Sequence, residues 1–182
     1  MELKETKISC ESVFTGKVFE VTVDQVTLPD GRSARRDVVH SSGGVVILPV
    51  DADGGVTLVR QFRYVQGEAL LEAVAGKLEA GEEPLPAARR ELREETGLTA
   101  KKWVELGYIA SSPGFLTEKL WLFLAMELTE GEQELDDGEF LNAEKYSFTE
   151  AMAMAADGRI HDGKTLAILL RARARLDGEV RE

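Results

Sequence analysis

The 182-residue sequence has a single cysteine, Cys10, so no disulfide can form within the chain, and a reducing cytoplasm is the expected compartment. No apolar run approaches the roughly 20 residues a helix needs to cross a bilayer. The polar start MELKETKISCES lacks the apolar centre of a secretory signal. Histidine is equally scarce: His40 and His161 have no recognisable partner in the sequence and read as structural or surface residues, and no His lies near Cys10 to support a nucleophile. Positive charge is in deficit, with 22 basic against 33 acidic residues and a net charge of −11. DNA and RNA binding depends on neutralising phosphates, so nucleic acid is a poor partner for this chain. RNA decapping is disfavoured for the same reason, because no basic stretch interleaved with aromatics is present. A chain this acidic still binds a phosphorylated small molecule if divalent cations bridge the two.

What is present suits one soluble globular domain with a real core: 43% of residues are hydrophobic and 30% charged. No repeat, low-complexity tract or long linker interrupts it. Residues 17–28 (KVFEVTVDQVTL) alternate in part between apolar and polar positions and predict a strand. Leu28-Pro29-Asp30-Gly31 is a turn signal, and residues 33–40 return as a second strand. This opening section reads as a small N-terminal β element. GVVILPV (44–50) and VTLVRQF (56–62) predict two strands joined by a hairpin loop at 51–55. Residues 69–75 fit helix or strand on periodicity, and Gly76 with the shortness of the run favours strand. Strands are also expected at 103–110, 120–126 and 140–147, the second apolar on both faces and therefore central. Helices are expected at 149–157 and at 163–176, the latter with Leu166, Leu169 and Leu170 as its core stripe. Strands on both sides of one central helix, with helices at the end, predict an α+β sandwich.

The central helix spans 85–96, with Leu85, Ala88 and Leu92 at helical spacing, prolines only at its start and Gly97 as its stop. On it Glu91, Glu94 and Glu95 fall at i, i+3 and i+4, so three carboxylates project from one side within about one turn. Like charges at that spacing repel, whereas clustered carboxylate oxygens are what Mg²⁺ or Mn²⁺ prefers. The competing reading is a charged face neutralised by Arg89, Arg90 and Arg93. The register decides against it: Gly76, Glu82, Arg90, Glu91, Glu94, Glu95 and Gly97 stand at fixed offsets, with Leu92 and Leu98 at the apolar positions. At ordinary residue frequencies, seven such positions coincide by chance with a probability on the order of 10⁻⁸.

GKLEAGEEPLPAARRELREETGL, residues 76–98, resembles a complete Nudix box, matching that family's pattern at every defined position. The resemblance implies an α/β/α sandwich with a mixed sheet and hydrolysis of a nucleoside diphosphate linked to another moiety. It implies divalent metal, Mg²⁺ with Mn²⁺ as the alternative, on Glu91, Glu94 and Glu95, with the main-chain carbonyl of Ala75 as a further ligand. Glu82 and Arg90 are expected to brace loop and helix by a salt bridge.

The box defines a reaction type, and residues outside it narrow the substrate. Pro113 in Ser112-Pro113-Gly114-Phe115, sixteen residues beyond Gly97, and VRQFRY (59–64) before the box resemble the ADP-ribose pyrophosphatase subgroup, in which Pro is common at the place of Val74. The resemblance then makes Arg63 a pyrophosphate ligand, its planar fork suiting phosphate oxygens. It also implies a homodimer formed through residues 1–41, ahead of a hydrolase domain at 42–182. Phe19 would stack on the adenine of the partner's site, and Arg36 and Pro113 would face the ligand. A base on a later loop is expected, with Glu139 the first choice in Glu134-Leu135-Asp136-Asp137-Gly138-Glu139 and Asp137 its substitute. Turnover of GDP-mannose or another nucleotide sugar is the alternative. A noncatalytic nucleotide sensor is a third reading, disfavoured because every box carboxylate is retained.

Overall fold

The computed structural model describes residues 2–179. They form two compact units, Met1–Gly43 with Ala110–Lys119, and Gly44–Ile109 with Leu120–Glu182.

The first unit is an antiparallel sheet in the order β1-β2-β3, with β1 at Thr6–Thr15, β2 at Glu20–Thr27 and β3 at Ser33–His40. Gly16 N–H donates to the Phe19 carbonyl (3.0 Å), closing the turn that delays the start of β2 to Glu20. β2 has the alternation that one-sided burial produces, with Thr22, Asp24 and Val26 buried, and β3 alternates between exposed and half-buried positions from Ser33 to Val38. β1 is exposed along its whole length and was not expected from the sequence. The Ser112–Phe115 turn returns onto β3, where Phe115 accepts from Val39 N–H (2.7 Å) and Thr117 donates to the Val39 carbonyl (3.0 Å).

The second unit holds β4 (Gly44–Pro49), β5 (Gly55–Arg63), β6 (Glu68–Glu72), β7 (Val74–Lys77), α1 (Pro84–Thr96), β8 (Thr99–Ala110), β9 (Lys119–Thr129), β10 (Leu141–Ser147), α2 (Phe148–Asp157) and α3 (Gly163–Glu179). Its main sheet runs β7-β4-β9-β8 and is mixed: β4 is antiparallel to β7 and parallel to β9. A second sheet runs β10-β5-β6. Every residue of β4 is buried, because the period of two sends alternate side chains into two cores. Val45 and Ile47 pack with Ala87, Ala88 and Leu92 of α1. Val46 and Leu48 pack with Met154 of α2 and Ile168 and Leu169 of α3. These layers make the expected α/β/α sandwich, and no helix among the described residues is long and apolar enough to cross a membrane.

One expected core residue is corrected. Leu170 is 67% exposed; the buried stripe of α3 runs through Thr165, Ile168, Leu169 and Ala172. At 100° per residue that stripe leaves position 170 on the opposite side.

Candidate active site

Leu92 sets the orientation of α1. It is fully buried with Ala87 and Ala88, which turns the helix side bearing Glu91, Glu94 and Glu95 toward the start of the box loop. Gly97 ends the helix in the left-handed region (φ 71°), its N–H donating to the Arg93 carbonyl at 2.8 Å. Glu95 is only 3% exposed, and one of its oxygens accepts the Ala75 N–H at 3.2 Å. Glu91 lies against Gly76 so closely that a Cβ there would sit 1.8 Å from the Glu91 Cδ. Only glycine admits the carboxylate at that point.

Arg90 is the hub of the charges. It donates to both Glu82 oxygens (3.1 and 2.9 Å), to Glu91 (2.7 Å), to Glu94 (3.1 Å) and to the Lys77 carbonyl (3.2 Å). Glu82 also accepts the Glu79 N–H at 3.0 Å, so the box loop folds back onto itself and onto the helix. These bonds raise the Arg90 pKa further above its ordinary value and hold Glu82 below the usual carboxylate range.

Glu95 and Glu91 are driven the other way. Burial pushes Glu95 up to about 8, with the Glu139 and Glu91 charges acting in the same direction against the Ala75 hydrogen bond. Burial likewise raises Glu91, only partly offset by Arg90. A buried and a partly buried carboxylate that resist ionisation, on one helix side, form a site that gains from a bound cation.

They open into a cavity of about 400 Å³ whose walls include Gln61, Arg63, Gly76, Glu91, Glu95 and Glu139. Gln61 and Arg63 share a face of β5, and Gln61 donates to Glu139 at 3.3 Å. Glu139 and Asp136, both on this wall, belong to one turn in which Glu139 N–H donates to the Asp136 carbonyl (3.0 Å). The segment carrying them docks on the last turn of α1, whose carbonyls lack helical partners. Gln133 donates to the Glu95 carbonyl (2.5 Å), Glu134 N–H donates to the Glu94 carbonyl (3.1 Å), and Arg93 pairs with the Glu134 carboxylate (3.0 Å). The acidic loop is thereby fastened to the same helix that carries the box carboxylates.

Arg63 is fixed by Glu72, a β6 residue 1% exposed: Nε and Nη2 each donate to a carboxylate oxygen at 2.7 Å. Phe19, Arg36 and Pro113 belong to the first unit. Phe19 is 42% exposed and tilts against Phe14, with centroids 5.7 Å apart. Arg36 is held by both oxygens of Glu5 (3.0 and 2.6 Å), and Pro113 is exposed in its turn.

Sequence reasoning did not single out Gln61, Asp136, Gln133 or Glu72. Of these, Gln61 was within reach, since it lies two residues from Arg63 on a predicted strand. No three His, Cys, Asp or Glu side chains among the described residues converge on one point as metal ligands. Glu91 and Glu94 turn to Arg90, and Glu95 turns to Ala75. The donor set is nevertheless all oxygen, with Glu95 buried and Glu91 and Glu94 partly buried, which is the chemistry a hard divalent cation fits. Glu91, Glu94 and Glu95 are the residues that would hold it, the first two by turning from Arg90 and Glu95 by turning from the Ala75 N–H.

A family model described as the NUDIX domain matches residues 40–168. An ADP-ribose pyrophosphatase of Bacillus subtilis (strain 168) is 40% identical over 165 residues, covering 90% of this chain and 89% of that protein. A GDP-mannose pyrophosphatase of Yersinia pestis (strain Pestoides F) is 37% identical over 185 residues, covering 93% and 91%. The solved structure of an ADP compounds hydrolase superposes with a TM-score of 0.85 over 98% of this chain and 97% of that one, at 22% identity, a likeness of fold. The match of the family model to most of the chain, over a box whose Gly76, Arg90, Glu91 and Glu95 line one cavity, makes this chain a member of the Nudix family.

Proposed function

We propose that the chain hydrolyses the pyrophosphate bond of ADP-ribose, releasing AMP and ribose 5-phosphate, with Mg²⁺ as cofactor and Mn²⁺ as a substitute. The carrying observation is the cavity that joins Glu91, Glu95 and Glu139 to Arg63. Acid oxygens for cations, a cationic fork and a further carboxylate are the parts that pyrophosphate cleavage by water needs. The name of the 40% identical relative favours ADP-ribose.

Metal held by Glu91, Glu94 and Glu95, with the Ala75 carbonyl, would supply neutralisation of the phosphate oxygens and acidification of the attacking water. Arg63 presents the edge of its guanidinium that Glu72 does not occupy to a nonbridging oxygen. Glu139, steadied by Gln61, accepts a proton from water as the water oxygen bonds to phosphorus. The bridging oxygen departs with the other phosphate, leaving two phosphomonoesters. Asp137 is the substitute base. Gly76, Glu82, Arg90 and Gly97 keep the acids in register and touch no substrate.

Residues 1–41 serve as the dimerisation element of a cytoplasmic homodimer. Phe19 stacks on the adenine, Arg36 turns from Glu5 to the ligand, and Pro113 shapes the same subsite. A GDP-mannose substrate is the second reading, favoured by the 37% identical relative. Comparing turnover of the two compounds in Mg²⁺, with products resolved by chromatography, separates them. Faster release of AMP from ADP-ribose supports the first reading, and faster release of GMP from GDP-mannose overturns it. Gel filtration tests the dimer, and a clean monomer removes the role given to Phe19.

A further inference from the structure

We propose that Lys164, at the start of α3, is a positioning residue for Arg63, acting through the buried carboxylate of Glu72. The inference rests on the reading of Arg63 as a phosphate-binding residue. Glu72 faces two cations at once. Arg63 occupies both of its oxygens, and Lys164 Nζ donates to Oε2 as well. Burial raises the Glu72 pKa, but the bonds from Arg63 and Lys164 outweigh it and hold the carboxylate below its usual range.

An arginine locked in a bidentate pair with one buried carboxylate presents a nearly neutral couple to a neighbouring anion. A second cation on that carboxylate changes this, because Glu72 is then shared and Arg63 keeps more of its charge for the cavity. The balancing acid is Asp162, 3.0 Å from Lys164. The same Asp162 oxygen also accepts the Thr165 N–H (3.0 Å) and hydroxyl (2.5 Å) at the N-terminus of α3, so its charge is spread over several donors.

The arrangement reaches the box as well. Thr165 is fully buried, and its hydroxyl oxygen accepts the Ala73 N–H at 2.7 Å. Ala73 is the break between β6 and β7, where strand pairing lapses. Lys164 and Thr165 therefore grip two adjacent residues, Glu72 and Ala73, just ahead of Ala75 and Gly76. Lys164 and Arg63 also line one cavity of about 450 Å³, and Arg63 stands on the wall of the catalytic cavity too.

The test measures KM and kcat for ADP-ribose, with its dissociation constant by calorimetry in Ca²⁺, for Lys164→Met, Lys164→Gln, Lys164→Arg and Arg63→Lys and for the double variant Arg63→Lys/Lys164→Met. Lys164→Met and Lys164→Gln should raise KM and the dissociation constant roughly tenfold, within the range of coupling between contacting residues, with a smaller change in kcat. Lys164→Arg should restore both. In the double variant the Lys164 change should add little to that of Arg63→Lys. Unaltered binding in Lys164→Gln, or full additivity in the double variant, overturns the proposal. If Lys164→Met does not fold, Lys164→Gln, which keeps a hydrogen bond to Glu72 without the charge, decides it. Unchanged binding by Arg63→Lys overturns the phosphate role of Arg63 itself, a failure distinguishable from that of Lys164 alone.

Discussion

Gly76 and Glu91 touch across the start of the box loop, with a Cβ on Gly76 falling 1.8 Å from the Glu91 Cδ. The contact leaves no room for a methyl group unless the carboxylate moves. Gly76→Ala is expected to lower kcat/KM by roughly a hundredfold, the scale that follows from displacing a reacting group by about 1 Å. Thermal unfolding should shift little, because Gly76 is not part of either core. Parallel kinetics and calorimetry check both halves of this expectation.

Glu95 carries the pH dependence. Its pKa is raised to about 8 in the folded chain from an ordinary value of 4.5. Between those values the folded carboxyl keeps a proton that the unfolded chain has lost. Its contribution to stability is therefore fully present below pH ~4.5 and is lost as pH rises through about 8. In EDTA the wild type should lose on the order of 5 kcal/mol across that window relative to Glu95→Gln, which has no proton to lose. Denaturant titrations at a series of pH values read the difference, and identical pH profiles would contradict it. Uptake of Mg²⁺ near pH 7 should release protons, measurable in buffers of different ionisation enthalpy.

Arg90 balances three carboxylates of the box at once. Arg90→Gln leaves Glu91 and Glu94 without that partner and should lower stability in EDTA by about 2 kcal/mol, less than for a fully buried pair. Mg²⁺ should return part of the loss, since the cation takes over the charge that Arg90 balanced. Thermal melts with and without Mg²⁺ test this, and an equal deficit in both conditions would contradict it.

Gln133 ties the acidic loop to the carbonyl of Glu95. Gln133→Ala should reduce kcat about tenfold, the scale of general base catalysis made imprecise, with Mg²⁺ affinity unchanged. Amide exchange should quicken over residues 130–139 and not within α1. Unchanged exchange in that segment would show that the loop holds its place by other means.

How much of this was legible in the sequence depends on how each residue leaves a trace. The period of α1 and the stop at Gly97 could be read because a helix buries one side and ends where φ turns positive. The central place of β9 could be read from apolar residues on both faces. β1 could not, since a strand exposed along its length shows no alternation. Leu170 was misplaced because leucines cluster in α3, whereas the stripe that packs includes Thr165 and Ala172. The partners of the site were least legible. Gln133 meets Glu95 from 38 residues away, and Lys164 meets Glu72 from 92. Such pairs are single polar residues brought together by the fold, and they leave no period to read.

If the carboxylates of α1 run a metal-dependent cleavage of ADP-ribose, product release must need both the cation and Glu95. The most direct measurement is AMP release from ADP-ribose with and without Mg²⁺ by the wild type and by Glu95→Gln, with circular dichroism on both. The account predicts Mg²⁺-dependent release by the wild type, abolished by EDTA, and loss of about 10³-fold or more in a variant that stays folded. Full activity in Glu95→Gln, or no release by a folded wild type with either Mg²⁺ or Mn²⁺, would contradict it.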